Sequence, residues 1–290
     1  MTCMHWNVEQ IIWAVLLAAH LVLLVVLLGR DRAGRFPWFT AAIMLSAVRL
    51  LADHLLHGKL TSVAFYWQSY SAMVVDDILG ILVLVELTRR VFSSGKAGLV
   101  LKARGWIGWT LVTVALAIAA VWAWGPWPTW VALKAEPAQL PLLLVVLAAM
   151  KGLLFVSLMT VQVGLLLRIF GKRFGSGWRS HAQQIALGLS TNALGFLAVQ
   201  GITDTIKRTV HLASRQEYER VVHLLTNMEN ARTALWCLVL IWWIVWLWRD
   251  EPGELAPVMA MVGAPIVTGH LAAQAEIPEG DEEDDLDFRR

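Results

Sequence analysis

Long apolar runs separated by short polar or basic segments fill the chain as far as Trp248. A helix crossing the hydrocarbon core of a bilayer needs about 20 mostly apolar residues. Seven runs meet that length, at about 8–29, 37–57, 63–88, 105–124, 140–168, 181–204 and 222–248. They lack the period-2 alternation of a transmembrane barrel, so strands are not expected. The pattern predicts an all-α fold, a polytopic membrane protein built as a bundle of seven transmembrane helices. Short connections make consecutive helices antiparallel neighbours. Prolines stand at span ends (Pro37, Pro126, Pro128, Pro137, Pro141) or beyond Asp250. No repeat at helix-pair spacing is visible.

Charge sets the expected orientation. Cytoplasmic loops collect Lys and Arg. The connections after the first, third and fifth runs carry Arg30, Arg32, Arg35, Arg89, Arg90, Lys96, Lys102, Arg104, Arg168, Lys172, Arg173 and Arg179. The opposite side carries Lys59, Lys134, Lys207, Arg208, Arg215 and Arg220, the last two interleaved with Glu217 and Glu219. The N-terminus is therefore expected outside and the C-terminus in the cytoplasm. Tryptophan supplies a second signal, because indoles favour the headgroup level. Of the 16 Trp residues, only Trp236 falls well inside a run.

Composition narrows the class further. The chain is 58% hydrophobic and 16% charged, against about 45–50% and 25% in ordinary soluble domains. That balance excludes a soluble enzyme, a disordered protein and a nucleic-acid binder. Residues 250–290 hold eleven of the 22 acidic residues and two of the 24 basic ones. The chain thus divides into a transmembrane domain, 1–249, and a cytoplasmic acidic tail, 250–290, expected to be mostly disordered. Cys3 and Cys237 are too few and too far apart for a disulfide framework or a Cys-based metal site. No basic residue precedes the first run, which reads as a retained helix rather than a cleaved signal.

Ionisable residues inside a bilayer cost about 2.5–3.5 kcal/mol each at the helix centre, so they mark candidate sites. Arg49, Asp76, Asp77, Lys151 and Asn192 come out near mid-depth, and Asp53, Glu229 and Arg232 in the outer half. Ser46, Arg49, Asp53 and His57 recur at helical spacing and share one face. Three bases (Arg49, Lys151, Arg232) against four acids (Asp53, Asp76, Asp77, Glu229) suggest a mutually neutralising network between the second, third, fifth and seventh spans. Asp76 and Asp77 diverge by about 100° on a helix, so only one of them faces Arg49 or Lys151. Such a network either fixes helix register or forms a polar cavity, open on the outer side, for a small ligand or protons.

Other chemistry is less favoured. His20 with His54 or His57 could supply axial ligands to a haem, though no paired-His pattern repeats. Cys3, Met4 and His5 could touch copper only from a flexible tail. A retinal Schiff base is rejected because residues 222–248 contain no Lys. The chain carries no HExxH, nucleophile elbow, Gly-Asp protease motif or Gly-rich phosphate loop. Glu86 with Arg89 and Arg90 reads as an interfacial ion pair. Gly188 and Gly195, seven apart on one face, predict close helix packing. No catalytic residue, metal site or cofactor beyond the haem option is expected.

The stretch Tyr66-Trp67-Gln68-Ser69-Tyr70, the run Leu79–Phe92 and the aromatic close Trp236–Trp248 resemble an uncharacterised family of bacterial seven-helix integral membrane proteins. The resemblance covers two of seven helices. It implies the seven-helix topology and a bacterial inner-membrane location, and no activity. The expected function is a non-enzymatic sensory or scaffolding module that signals through a cytoplasmic or membrane protein partner, by way of the acidic tail. A small-solute or proton-coupled transporter and a haem-binding redox subunit are the alternatives. Against transport stands the absence of repeats and broken helices.

Overall fold

The computed structural model describes residues 8–56, 58–93, 99–124, 127, 140–170, 179–209 and 215–250. The Cys3–Met4–His5 segment and the acidic tail beyond Asp250, with its expected partner contact, lie outside the described residues. Seven helices are described: α1 Val8–Gly29, α2 Pro37–Leu56, α3 Ser62–Ser93, α4 Leu99–Ala123, α5 Leu140–Phe170, α6 His181–Thr209 and α7 Arg215–Trp248. No strand occurs among the described residues. Five of the helices are long and apolar enough to cross a membrane: α1 from Gln10 onward, α2, α5, α6 and α7. Val25, Leu28, Leu111, Leu165 and Leu238 lie exposed on the outside of the bundle. Large apolar side chains exposed on so many helices suit a bilayer rather than water.

Helix ends follow local chemistry. α1 stops where Asp31 takes a left-handed conformation (φ 53°), which a short polar side chain tolerates. Gly58 (φ 75°) plays the same part just beyond α2. Ser180 caps the start of α6, with the Gln183 backbone N–H donating to Ser180 Oγ at 3.4 Å. α2 lacks such a start, because Arg35-Phe36-Pro37 offers no Ser, Thr, Asp or Asn. Pro37 suits the first turn, and the missing acceptor comes from another helix. The Phe39 amide donates to the buried Glu86 carboxylate of α3 at 3.1 Å. Glu86 therefore joins α3 to the start of α2, a role beyond the interfacial ion pair its neighbours suggested. Arg90, one turn on, lies over the Phe36 ring at 4.7 Å.

α3, α6 and α7 run past their apolar segments. The extra turns of α7 hold the exposed pair Arg215–Glu219 at 3.0 Å, a spacing that supports a helix outside the core.

Around the bundle, α1 packs on α2, α2 on α3, α3 on α5, α5 on α6, α6 on α7, and α7 back on α1. That closes a ring of six helices; α3 also meets α6 across it, and α4 lies against α5. The core gathers at one end of the ring, around Leu23, Leu27, Phe39, Leu87, Leu167, Ile185, Leu240 and Leu247. Polar ties lock that same end. His181 Nε2 bonds the Arg249 carbonyl at 3.0 Å. Arg30 and Arg32 reach Asp250 at 3.4 and 3.6 Å.

Trp243 corrects its expected place in an interfacial belt. It is 0% exposed. Its indole occupies the notch left by Gly188, where any Cβ would overlap the ring. Trp243 Nε1 donates to the Gln184 carbonyl at 3.2 Å, which satisfies the polar edge of a buried aromatic. Gly195 receives Leu235 in the same way. The two glycines expected to permit close packing both serve the α6–α7 contact.

Candidate functional site

The polar residues singled out by charge separate into three groups. The first joins α2 and α3. Arg49 Nη1 donates to Asp76 Oδ2 at 2.7 Å. Its Nε lies 3.8 Å from Asp53 Oδ2, one turn along α2. Gln68, two turns before Asp76 on α3, donates to Asp53 Oδ1 at 3.4 Å. Arg49, Asp53 and Asp76 are only partly buried.

Asp77 points away from this pair, as adjacent helical positions must. It is 8% exposed and lies in the α3–α5 seam. A side chain on Gly152 would collide with its carboxylate, and Val156 fills the facing notch at Gly80. Small residues on both helices thus bring their backbones together. Asp77 Oδ2 is buried and has no hydrogen-bond partner. A buried polar atom left bare costs roughly 1–3 kcal/mol. Such an atom calls for a function or an unseen partner.

The second group takes Lys151 out of the central network. Lys151 Nζ donates to the Trp124 carbonyl at 2.5 Å and lies 4.7 Å from the Trp127 ring centre. Trp124 Nε1 in turn donates to Asp204 Oδ2 at 2.8 Å, and Gln200 to Asp204 Oδ1 at 3.3 Å. The long Lys151 stem lets the ammonium reach the end of α4, the snorkelling common to lysines in bilayers. This group ties α4 to α5 and α6.

The third group is local to α7. Arg232 Nε meets Glu229 Oε2 at 2.7 Å, three residues apart on one helix. Arg232 also faces the Phe196 ring at 5.9 Å. Neither residue reaches the Arg49 cluster. Asn192 is half-buried on α6. The expected four-helix network is thus a two-helix cluster, with Asp77 behind it and two separate ties. Gln68, Gly152, Trp124 and Asp204 belong to these sites beside the residues singled out by charge.

The two histidines have different neighbours. His20 Nδ1 donates to the Leu16 carbonyl at 2.7 Å, and its ring lies 6.0 Å from Trp236 of α7. His54 stacks on Trp13 at 3.9 Å, whose Nε1 donates to the Leu50 carbonyl at 3.0 Å. Among the described residues, no three His, Cys, Asp or Glu side chains converge as metal ligands. Compared with protein-family models, curated proteins and solved structures, the chain matches none.

Proposed function

We propose that the chain is an integral membrane protein of seven spans, N-terminus outside and C-terminus cytoplasmic, in a bacterial inner membrane. In this reading α3 and α4 complete the five plainly apolar helices. Exposed Val75, Ile78 and Ile81 on α3 and Leu111, Leu116 and Ile118 on α4 support it, as does the basic excess at the packed end. The Arg49–Asp53–Asp76–Asp77 cluster is the functional centre. It takes up a proton or a small cationic ligand from the outer side, and the module works without catalysis.

One observation carries this reading: the Asp77 carboxylate oxygen is buried with no partner, while its neighbour Asp76 holds the only cation of the cluster. Three carboxylates against one guanidinium leave negative charge for an incoming cation to balance. The core packs most closely at the opposite end of the ring, away from Asp53 and Gln68. That arrangement favours approach from the outer face.

An apolar carbodiimide tests the site, since it adds to carboxylic acids in a low-dielectric setting. Peptide mass spectrometry of labelled membranes is expected to find the adduct on Asp77, and Asp77→Asn is expected to fold normally without it. An unlabelled Asp77, together with loss of folded protein in Asp77→Asn, would assign the cluster to helix packing alone.

A further inference from the structure

A lateral groove of about 220 Å³ runs along the α5–α6 seam, and no residue of the Arg49 cluster lines it. Its floor is made of small residues. Gly164 has no side chain, and Ser190 stands so close that a Cβ there would overlap its hydroxyl. That hydroxyl donates to the Thr160 carbonyl at 3.1 Å, so the floor offers no unpaired donor. Ala186 completes it. Exposed Leu165, Leu187 and Leu194 form the walls. The polar ends of Gln183 and Gln184 engage the Leu167 carbonyl and Trp242. Between Gln183 and Leu194 the groove follows α6 for about 16 Å at ~1.5 Å per residue. Arg168 closes the end that lies toward Phe170, with Arg179 just before α6.

An apolar channel of that length, open sideways and ended by a guanidinium, has the chemistry of one phospholipid. We infer that the groove binds an anionic phospholipid, one acyl chain lying between Leu165 and Leu187 and the phosphate at Arg168. The occupant is a membrane lipid because the walls face outward from the bundle, where only lipid or a neighbouring protein can reach them. The guanidinium selects the anionic headgroup, since arginine pairs with phosphate through parallel N–H···O bonds. Basic pockets between helices at the cytoplasmic side are suited to such headgroups.

The test uses the full chain in neutral detergent, with phosphatidylglycerol or phosphatidylcholine of the same acyl chains added, read by native mass spectrometry. The wild type is expected to retain one phosphatidylglycerol in preference to phosphatidylcholine. Arg168→Gln should weaken that retention about fivefold, the equivalent of the ~1 kcal/mol one basic side chain gains near an anionic surface. Leu187→Trp, which fills the groove from an exposed position, should abolish retention of both lipids. Arg89→Gln, an exposed base on α3 away from the groove, should change nothing. Equal retention of the two lipids by the wild type would overturn the inference. So would a loss in Arg89→Gln as large as that in Arg168→Gln.

Discussion

Replacing Gly188 with alanine is expected to unfold the α6–α7 contact, lowering stability by about 3 kcal/mol, the upper part of the range for overpacked cores. The added methyl has no space, because the Trp243 indole already occupies it. Trp243 cannot withdraw cheaply. Its ring packs edge-on against Phe39 at 5.0 Å and Trp236 at 5.4 Å. Its N–H would lose the Gln184 carbonyl, leaving a buried donor bare. Gly201→Ala on the same helix serves as the comparison, since nothing lies within 4 Å of its Cβ position. That change should leave the protein as stable or raise stability by about 0.5–1 kcal/mol, the helical advantage of alanine over glycine. Thermal unfolding of the three proteins in one detergent checks both expectations.

Arg49→Gln carries the second large effect, a destabilisation of about 2 kcal/mol with an altered cluster. Removing one partner of a fully buried pair costs about 3–5 kcal/mol, because the remaining charge stays uncompensated. Arg49, Asp53 and Asp76 retain about a third of their side-chain exposure, so the smaller figure applies. The change leaves Asp53, Asp76 and Asp77 with no cation among them. Asp76→Asn in the Arg49→Gln background should recover much of the loss. Arg49→Lys should recover less, since a lysine cannot bridge Asp76 and Asp53 with separate nitrogens. A double-mutant cycle on unfolding free energies separates the pair from general packing. Additivity of the two single changes would show that the ion pair contributes nothing specific.

Much of the architecture follows from patterns in the chain. Each of the seven described helices coincides with one of the apolar runs, and five of them are long and apolar enough to cross a membrane. Helix ends were less visible. Helical turns after Asp204 and before Val222 are polar, and a hydropathy reading ends where the polar residues begin. Arg49 and Asp53 were legible because four residues is a helical neighbour spacing, and the Asp76–Asp77 divergence follows from helix geometry alone. The fate of Lys151 was not legible. Depth counting locates a Cα, whereas a lysine ammonium reaches well beyond it and found the Trp124 carbonyl. Glu229 and Arg232 met the nearer partner, each other, so charge balance over the chain overstated the network. Gly152 gave no signal, since its role depends on how Asp77 is aimed across the α3–α5 seam. Trp243 stands in sequence beside Trp242, Trp246 and Trp248, which read as interfacial with it. Only the facing Gly188 makes room for it in the core.

The most direct measurement is an infrared titration of the chain in sealed, right-side-out membrane vesicles, with only the external pH varied. The carboxyl stretching band is followed in the wild type and in Asp77→Asn. A cluster reached from the outer face predicts a carboxyl band that responds to external pH at once and is missing from Asp77→Asn. A band that follows only the internal pH would contradict the proposed approach from outside. Identical spectra from the two proteins would contradict the assignment of Asp77 as the exchanging group.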